Sequence, residues 1–341
     1  MKKILYLILI VVVAFGCKKS TGGGGTPNPP PGNTDFAKGA DISWLTEMEA
    51  AGKKFYTGSG AEQDCMQLLK GLGMNAIRLR VWVNPANGWN NTADVLAKAS
   101  RAKALGLKIM IDFHYSDTWA DPGNQTKPAG WAGQNITALK QSVTDHTTSV
   151  LTTLKLNGII PTWVQVGNET NDGMLWPEGK ASTNMNNFAQ LVIAGYNAVK
   201  AVDNTIKVIV HISNGFDNSL FRWIFDGLKN NGAQWDITGM SLYPSSSNWQ
   251  TLNSQCLANM NDMVARYAKD VMVVEVGMSW DQSVACKSFL DDLILKVKSV
   301  SGGRGTGVFY WEPESYGNWQ GYTLGAFDNS GKPTTALNAF N

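Results

Sequence analysis

Two glutamates carry the strongest chemical signal in the chain. Glu169 ends the run Thr162-Trp163-Val164-Gln165-Val166-Gly167-Asn168-Glu169, and Glu275 ends Val271-Met272-Val273-Val274-Glu275. Runs rich in β-branched residues read as strands buried on both faces of a parallel sheet. A carboxylate at the C-terminal tip of such a strand sits where a (β/α)₈ barrel carries its chemistry. Two facing carboxyls cut a glycosidic bond with retention when about 5–5.5 Å separates them. One attacks the anomeric carbon; the other protonates the leaving oxygen and then activates water. Glu275 is read as the nucleophile, because Arg78 and Tyr243 could hold it ionised. Glu169 is read as the acid/base, its proton retained by the neighbouring negative charge. Asn168 would hold the sugar's 2-hydroxyl.

The elements that must position this pair can be read in order. Strand patterns occupy 37–42, 76–81, 108–113, 163–167, 207–211, 237–242, 271–276 and 306–310. Helical patterns fall at 64–71, 92–105, 136–156, 184–202, 219–230, 252–267 and 286–299. Repeated strand–helix alternation predicts an α/β fold with a closed parallel sheet, a single (β/α)₈ TIM barrel. A doubly wound open sheet is the structural rival, but it would not place functional groups at nearly every strand end.

Those groups crowd one expected rim. Asp41 follows the first strand. Arg78 and Arg80 lie two apart on the second and share a face. His114, Asp117 and Trp119 follow the third strand, His211 and Asn214 the fifth, Tyr243 the sixth and Trp311 the eighth. With Trp82 and Trp280 they make the candidate substrate-binding set. The 13 tryptophans are unusually many. Pyranose rings stack their C–H faces on aromatic side chains while their hydroxyls need polar partners. Trp311 is the candidate floor beneath the reacting sugar. Trp163, Trp223 and Trp235 are read as core or packing, and His146 as structural. Asp121 and Gln125 lie in the long loop after the third strand, where barrels carry binding residues.

The N-terminus reads as a processing segment. Lys2 and Lys3 precede an apolar stretch at 4–15, and Gly16-Cys17 follows. This is a signal peptide over 1–16, too short for a membrane span of about 20 residues. Cys17 after the small residue matches a bacterial lipoprotein signal, so the chain is expected to be exported and anchored to a membrane through lipid. Residues 17–34, rich in Gly and Pro, form a flexible linker, and 35–341 the catalytic barrel. Removing Lys2 and Lys3 from the 29 basic residues leaves 27 against 27 acidic ones. A neutral chain gives no electrostatic case for nucleic acid. Cys256 and Cys286 flank the Glu275 strand and are a disulfide candidate, with Cys65 a buried thiol. No metal-ligand spacing, phosphate loop or dinucleotide fingerprint occurs, so neither metal nor cofactor is expected. A monomer is expected.

The segments Gly39-Ala40-Asp41-Ile42-Ser43, Arg78-Leu79-Arg80-Val81-Trp82-Val83-Asn84-Pro85 and His114-Tyr115-Ser116-Asp117-Thr118-Trp119-Ala120-Asp121-Pro122 resemble the endo-β-1,4-galactanases of glycoside hydrolase family 53. Gln125-Thr126-Lys127-Pro128, Gln165-Val166-Gly167-Asn168-Glu169 and Tyr310-Trp311-Glu312-Pro313 extend the resemblance over nearly the whole chain after Asp35. It implies a retaining (β/α)₈ hydrolase of β-1,4-galactan, the side chain of pectin and type I arabinogalactan. It also implies Glu169 as acid/base and Glu275 as nucleophile. Some bacterial members hold calcium in a late loop. The segment 277–282 lacks clustered acidic ligands and runs quickly to the next helix, so calcium is not expected. The alternatives are another retaining barrel hydrolase, a β-mannanase or cellulase, or a lipid-tethered glycan-binding protein without catalysis.

Overall fold

The computed structural model describes residues 36–341. The expected signal peptide, Cys17 and the expected linker lie outside the described residues. Eight parallel strands close into a barrel in sequence order. They are β1 (Ala37–Asp41), β2 (Ala76–Val81), β3 (Lys108–Phe113), β4 (Trp163–Val166), β5 (Lys207–Ile212), β6 (Ile237–Leu242), β7 (Asp270–Val276) and β8 (Gly305–Trp311). The helices are α1 (Leu45–Ala50), α2 (Cys65–Gly71), α3 (Thr92–Ala104), α4 (Ile136–Leu156), α5 (Met185–Val202), α6 (Asn218–Asn230), α7 (Trp249–Tyr267) and α8 (Ser283–Lys298). The single barrel expected from the alternation is therefore present, and α1, which no apolar period announces, follows β1 directly.

Local chemistry starts several helices. The side chains of Asp64, Asn91, Asn135, Asn184 and Asp217 each accept a hydrogen bond from the backbone N–H three residues on. This satisfies an otherwise orphaned donor of the first turn. Packing then fixes the faces. In α6, Phe221, Ile224, Phe225 and Leu228 are buried at helical spacing. Trp223 falls on the opposite face and is 43% exposed. Of the core-or-packing reading, the core alternative therefore fails for Trp223, whereas Trp163 and Trp235 are buried.

The barrel interior is layered. Ala37, Ala76, Met110, Trp163, Ile209, Ile237, Met272, Val274 and Phe309 form an apolar plug separate from the outer core. The Phe309 ring fills the space beside Gly39, where an added Cβ would come within 2.1 Å of it. Two residues further along four strands the inward positions become polar, at Arg78, Asp112, Gln165 and His211, and on β1 Asp41 lies four residues beyond Ala37. This follows from the period of two along a strand. The plug thus supports a polar layer, and the site is built on it.

Strand β7 breaks the alternation to advantage. Met240 pairs with Val273, but Ser241 pairs with Glu275, so β7 carries an extra residue. Such a bulge re-aims the next side chain. Val274 stays in the apolar plug, and Glu275, its immediate neighbour, also turns inward to meet Arg78.

The expected disulfide is not formed. Cys256 and Cys286 are free and buried, as is Cys65. Each sulfur packs inward from its own helix against a different strand: Cys256 Sγ lies 3.5 Å from Met240 Sδ, and Cys286 Sγ 3.7 Å from the Tyr310 hydroxyl. Helices wrapped around a barrel point their inner faces at the sheet, not at one another.

Candidate active site

Arg78 is the hub of the polar layer. Its guanidinium donates to Asp41 Oδ2 at 2.6 Å, Asp112 Oδ2 at 2.9 Å, Asn168 Oδ1 at 2.9 Å and, through Nε, Gln165 Oε1 at 2.8 Å. It also pairs with Glu275 Oε1 at 2.7 Å. The other Glu275 oxygen accepts from the Tyr243 hydroxyl at 3.1 Å. A buried cation with this many acceptors is fully compensated and rigidly placed.

Glu169 approaches from the neighbouring side. The chain leaves β4 through Gly167, at φ +85°, and Glu169 itself adopts φ +44°. Thr170 N–H then ties the corner to the His211 carbonyl at 2.9 Å. A non-glycine residue at positive φ is costly and persists when its surroundings over-determine it. Glu169 Oε1 accepts from Ser241 Oγ at 2.6 Å. One oxygen of Glu169, one of Glu275 and a ring nitrogen of His211 lie within 4.8 Å of one another.

Burial pushes both central carboxyls up. For Glu275 the push reaches about 8, against the pull of Arg78 and with the help of the Glu169 and Asp112 charges. For Glu169 burial also raises the carboxyl, opposed by its Ser241 hydrogen bond and by Arg78. Two carboxylates this close titrate as one unit. The pair therefore holds a proton more tightly than an isolated carboxylate does. The guanidinium is bonded to Glu275, whereas Glu169 receives only a neutral hydroxyl, so the charge belongs on Glu275 and the proton on Glu169. Asp112 is different: burial raises it, but Arg78 and His114 outweigh that and hold it below its ordinary value.

The pair opens into a cleft of about 760 Å³. Of the sequence-selected residues, Trp82, His114, Asp117, Trp119, Asn168, Tyr243 and Trp311 line it together with Glu169 and Glu275. His114 accepts from Trp82 Nε1 at 3.2 Å and from Ala120 N–H at 3.1 Å through Nδ1. Its Nε2 therefore donates to Asp112, 3.1 Å away. Asp117 spends its oxygens on the N–H groups of Asn84 and Ala129, knitting two loops of the rim.

Other expected contacts lie elsewhere. Asp41, Arg78 and His211 are wholly buried behind the cleft wall and act on the residues that line it. Arg80 is also buried. It pairs with Glu312 and lies 4.4 Å from the Trp119 ring, 5.1 Å from Trp44 and 5.3 Å from Trp82. It supports the aromatic floor rather than reaching a sugar. Asn214 is exposed at the turn into α6, where its backbone carbonyl accepts from Asp217 N–H, and it does not line the cleft. Trp280 sits in a short 3₁₀ turn, also off the cleft, because the chain bends away after β7. Gln125 is buried and donates to the Asn168 carbonyl at 2.9 Å, so it braces the Glu169 corner. His146 packs among Phe113, Tyr115 and Trp131. Burial drives its imidazole down to about 4, consistent with a neutral structural ring.

The sequence reading missed Trp44, Glu47, Gln320 and Tyr322 on the cleft wall. Trp44 meets Trp311 edge-on at 5.1 Å, and Tyr322 meets Trp311 at 4.7 Å. Trp44 directly follows the β1 tip and could have been found by position. Tyr322 lies in an irregular segment after β8 that carries no periodic signal. Ser241 was missed because a lone serine inside an apolar strand is inconspicuous.

The comparisons agree with this geometry. A model of Glycosyl hydrolase family 53 matches residues 37–340. The arabinogalactan endo-β-1,4-galactanase of Thermothelomyces thermophilus is 34% identical, over 89% of this chain and 98% of the relative. Among solved structures, a fungal β-1,4-galactanase superposes with a TM-score of 0.82 at 34% identity, covering 89% of this chain and 98% of its own. The Ignisphaera aggregans GH53 catalytic domain superposes with a TM-score of 0.83 at 30% identity, covering 92% and 97%. With that match spanning the whole barrel and the paired carboxyls at its mouth, the chain belongs to glycosyl hydrolase family 53.

Proposed function

We propose that the protein is an endo-acting β-1,4-galactanase that cuts galactan and type I arabinogalactan by double displacement. One observation carries the chemistry: Glu169 and Glu275 converge, with oxygens within 4.8 Å, in an aromatic-floored cleft. In the first step Glu275 Oε attacks the anomeric carbon while the glycosidic C–O bond breaks. Glu169 gives its proton to the departing oxygen. Covalent capture removes the Glu275 charge, so Glu169 can now ionise. In the second step water attacks the same carbon, Glu169 takes its proton, and the ester bond to Glu275 breaks. Both carboxyls return to their starting states, and two inversions give net retention.

The remaining assignments follow from position. Asn168, held by Arg78 and by the Ala120 carbonyl, is placed for the 2-hydroxyl. Trp311 and Trp119 offer stacking faces. The substrate reading rests on the galactanase relatives. It is tested by hydrolysis of potato galactan, mannan and cellulose side by side. Galactan is expected to be cut, with mid-length oligomers appearing first. Activity on mannan without activity on galactan would reject the substrate, and a single small product from the start would reject internal cleavage.

Export and anchoring belong to the same proposal. They are supported by Lys2-Lys3, the apolar stretch at 4–15 and the Gly16-Cys17 step.

A further inference from the structure

We propose that Ser241, oriented by His211, is a positioning residue for Glu169 that fixes which oxygen carries the acid/base proton and the pH at which that proton is lost. The proposal rests on the reading of Glu169 as the acid/base. It starts from a chain of hydrogen bonds with one consistent direction.

Arg78 Nε–H donates to Gln165 Oε1 at 2.8 Å, which fixes the orientation of that amide. Gln165 Nε2 then has two hydrogens and two partners: Asp112 Oδ1 at 2.9 Å and His211 Nδ1 at 3.0 Å. The backbone N–H of Glu169 also points at His211 Nδ1, from 3.4 Å. Asn168 Oδ1, which accepts from Arg78, lies 3.0 Å from the same nitrogen and is one acceptor there against the two N–H groups. Two donors therefore converge on Nδ1, making it an acceptor. A buried ring close to the Arg78 cation stays neutral, and burial with Arg78 holds its imidazole well below the ordinary value. The single ring proton is thus on Nε2.

Nε2–H lies 2.7 Å from Ser241 Oγ. The serine receives this hydrogen and has one of its own, which goes to Glu169 Oε1 at 2.6 Å. The direction cannot reverse without leaving the Gln165 and Glu169 N–H groups facing a protonated nitrogen. Oε1 of Glu169 is therefore an acceptor in both protonation states. The transferable proton is confined to Oε2. The same hydroxyl stabilises the ionised form required in the second step.

Other groups also bear on Glu169. Glu275 on β7, Asp112 on β3 and Asp121 in the loop after it raise its affinity for the proton, and Arg78 on β2 lowers it. Tyr243, after β6, also lies within electrostatic reach of Glu169. Ser241 is neutral, so its removal changes the titration without changing the charge of the site.

The test is the pH profile of kcat/KM on galactan for wild type, Ser241→Ala and Ser241→Thr. The alanine variant is expected to move the alkaline limb upward by about one pH unit or more, the size expected for a lost hydrogen bond to a carboxylate. The threonine variant keeps the hydroxyl and is expected to restore the wild-type limb. A uniform loss of rate in Ser241→Ala with an unmoved limb would mean a merely structural serine and would overturn the proposal. Nitrogen-15 spectra of the wild-type enzyme read the tautomer independently of any variant. An Nδ1-protonated His211 would also overturn it. Wild type inactive on galactan would instead reject the functional reading itself.

Discussion

Arg78 and Ser241 divide labour between the two central carboxyls: a cation bonded to Glu275 keeps it charged, and a hydroxyl bonded to Glu169 leaves it protonable. Replacing Glu275 by Gln removes the attacking oxygen with little change in shape. We expect kcat on galactan to fall by at least about 10³-fold, with polysaccharide binding in pull-down assays retained. Unchanged turnover would refute the nucleophile assignment. Glu169→Ala is expected to cost about 10²–10⁴-fold on galactan. With aryl galactosides bearing very good leaving groups, the first step needs little acid, so the glycosyl-enzyme should still form. Equal loss on both substrates would argue against an acid role. The pH dependence follows from the proton on the pair. Burial raises the Glu169 carboxyl above its ordinary value. As pH rises through that raised value Glu169 loses the proton it must deliver, so kcat/KM should fall along an alkaline limb lying above the ordinary carboxylate range; a rate flat to pH 10 would contradict the pairing. At this scale Glu169, Glu275, Asn168 and Tyr243 were legible, because type and strand-end position coincide. Arg80 and His211 were legible as inward-facing but not as buried, since the depth of a side chain depends on what covers it, here three tryptophans and a serine.

Strands and helices were the most legible level, because their apolar periodicity is imposed by the layers they must fill. The places where the reading fell short are those where periodicity stops. The bulge in β7 inserts Val274 without any local mark in the sequence, since Val-Val suits a regular strand equally well. The Cys256 and Cys286 expectation failed because adjacency in sequence to β7 says nothing about the direction in which a helix face points. Helix ends carry one instructive misfit. α7 stops at Ala268, which adopts φ +52° and ψ +36° and is exposed. Glycine is usual there, because a Cβ crowds the following carbonyl in the left-handed region. Ala268→Gly is expected to raise stability by about 0.5–1 kcal/mol, relief of strain exceeding the added entropy of the unfolded chain. Urea unfolding measures it. Destabilisation by that change would show that the backbone there is held by more than the helix end, and activity should be unaffected, because Ala268 lies at the opposite end of the barrel strands from the cleft.

On the scale of the whole molecule, closure of the barrel brings residues from eight separate strand ends to one mouth and leaves no sheet edge unpaired. Residues 36–341 contain every side chain the proposed reaction uses, and the proposed role of the N-terminal segment is delivery. This separation makes anchoring testable apart from chemistry. Among the described residues no helix is long and apolar enough to cross a membrane, and the proposed attachment is through Cys17. When the full chain is expressed in a bacterial host, galactan-cleaving activity is expected to sediment with membranes and to be released by detergent. Cys17→Ala removes the acceptor thiol and should shift that activity to the soluble fraction, with kcat and KM unchanged, since the position lies outside the barrel. Wild-type activity that stays soluble would refute lipid attachment. Membrane-bound activity in the Cys17→Ala chain would instead place the attachment on the uncleaved apolar stretch at 4–15, which at twelve residues is shorter than the bilayer core and could hold the protein only weakly.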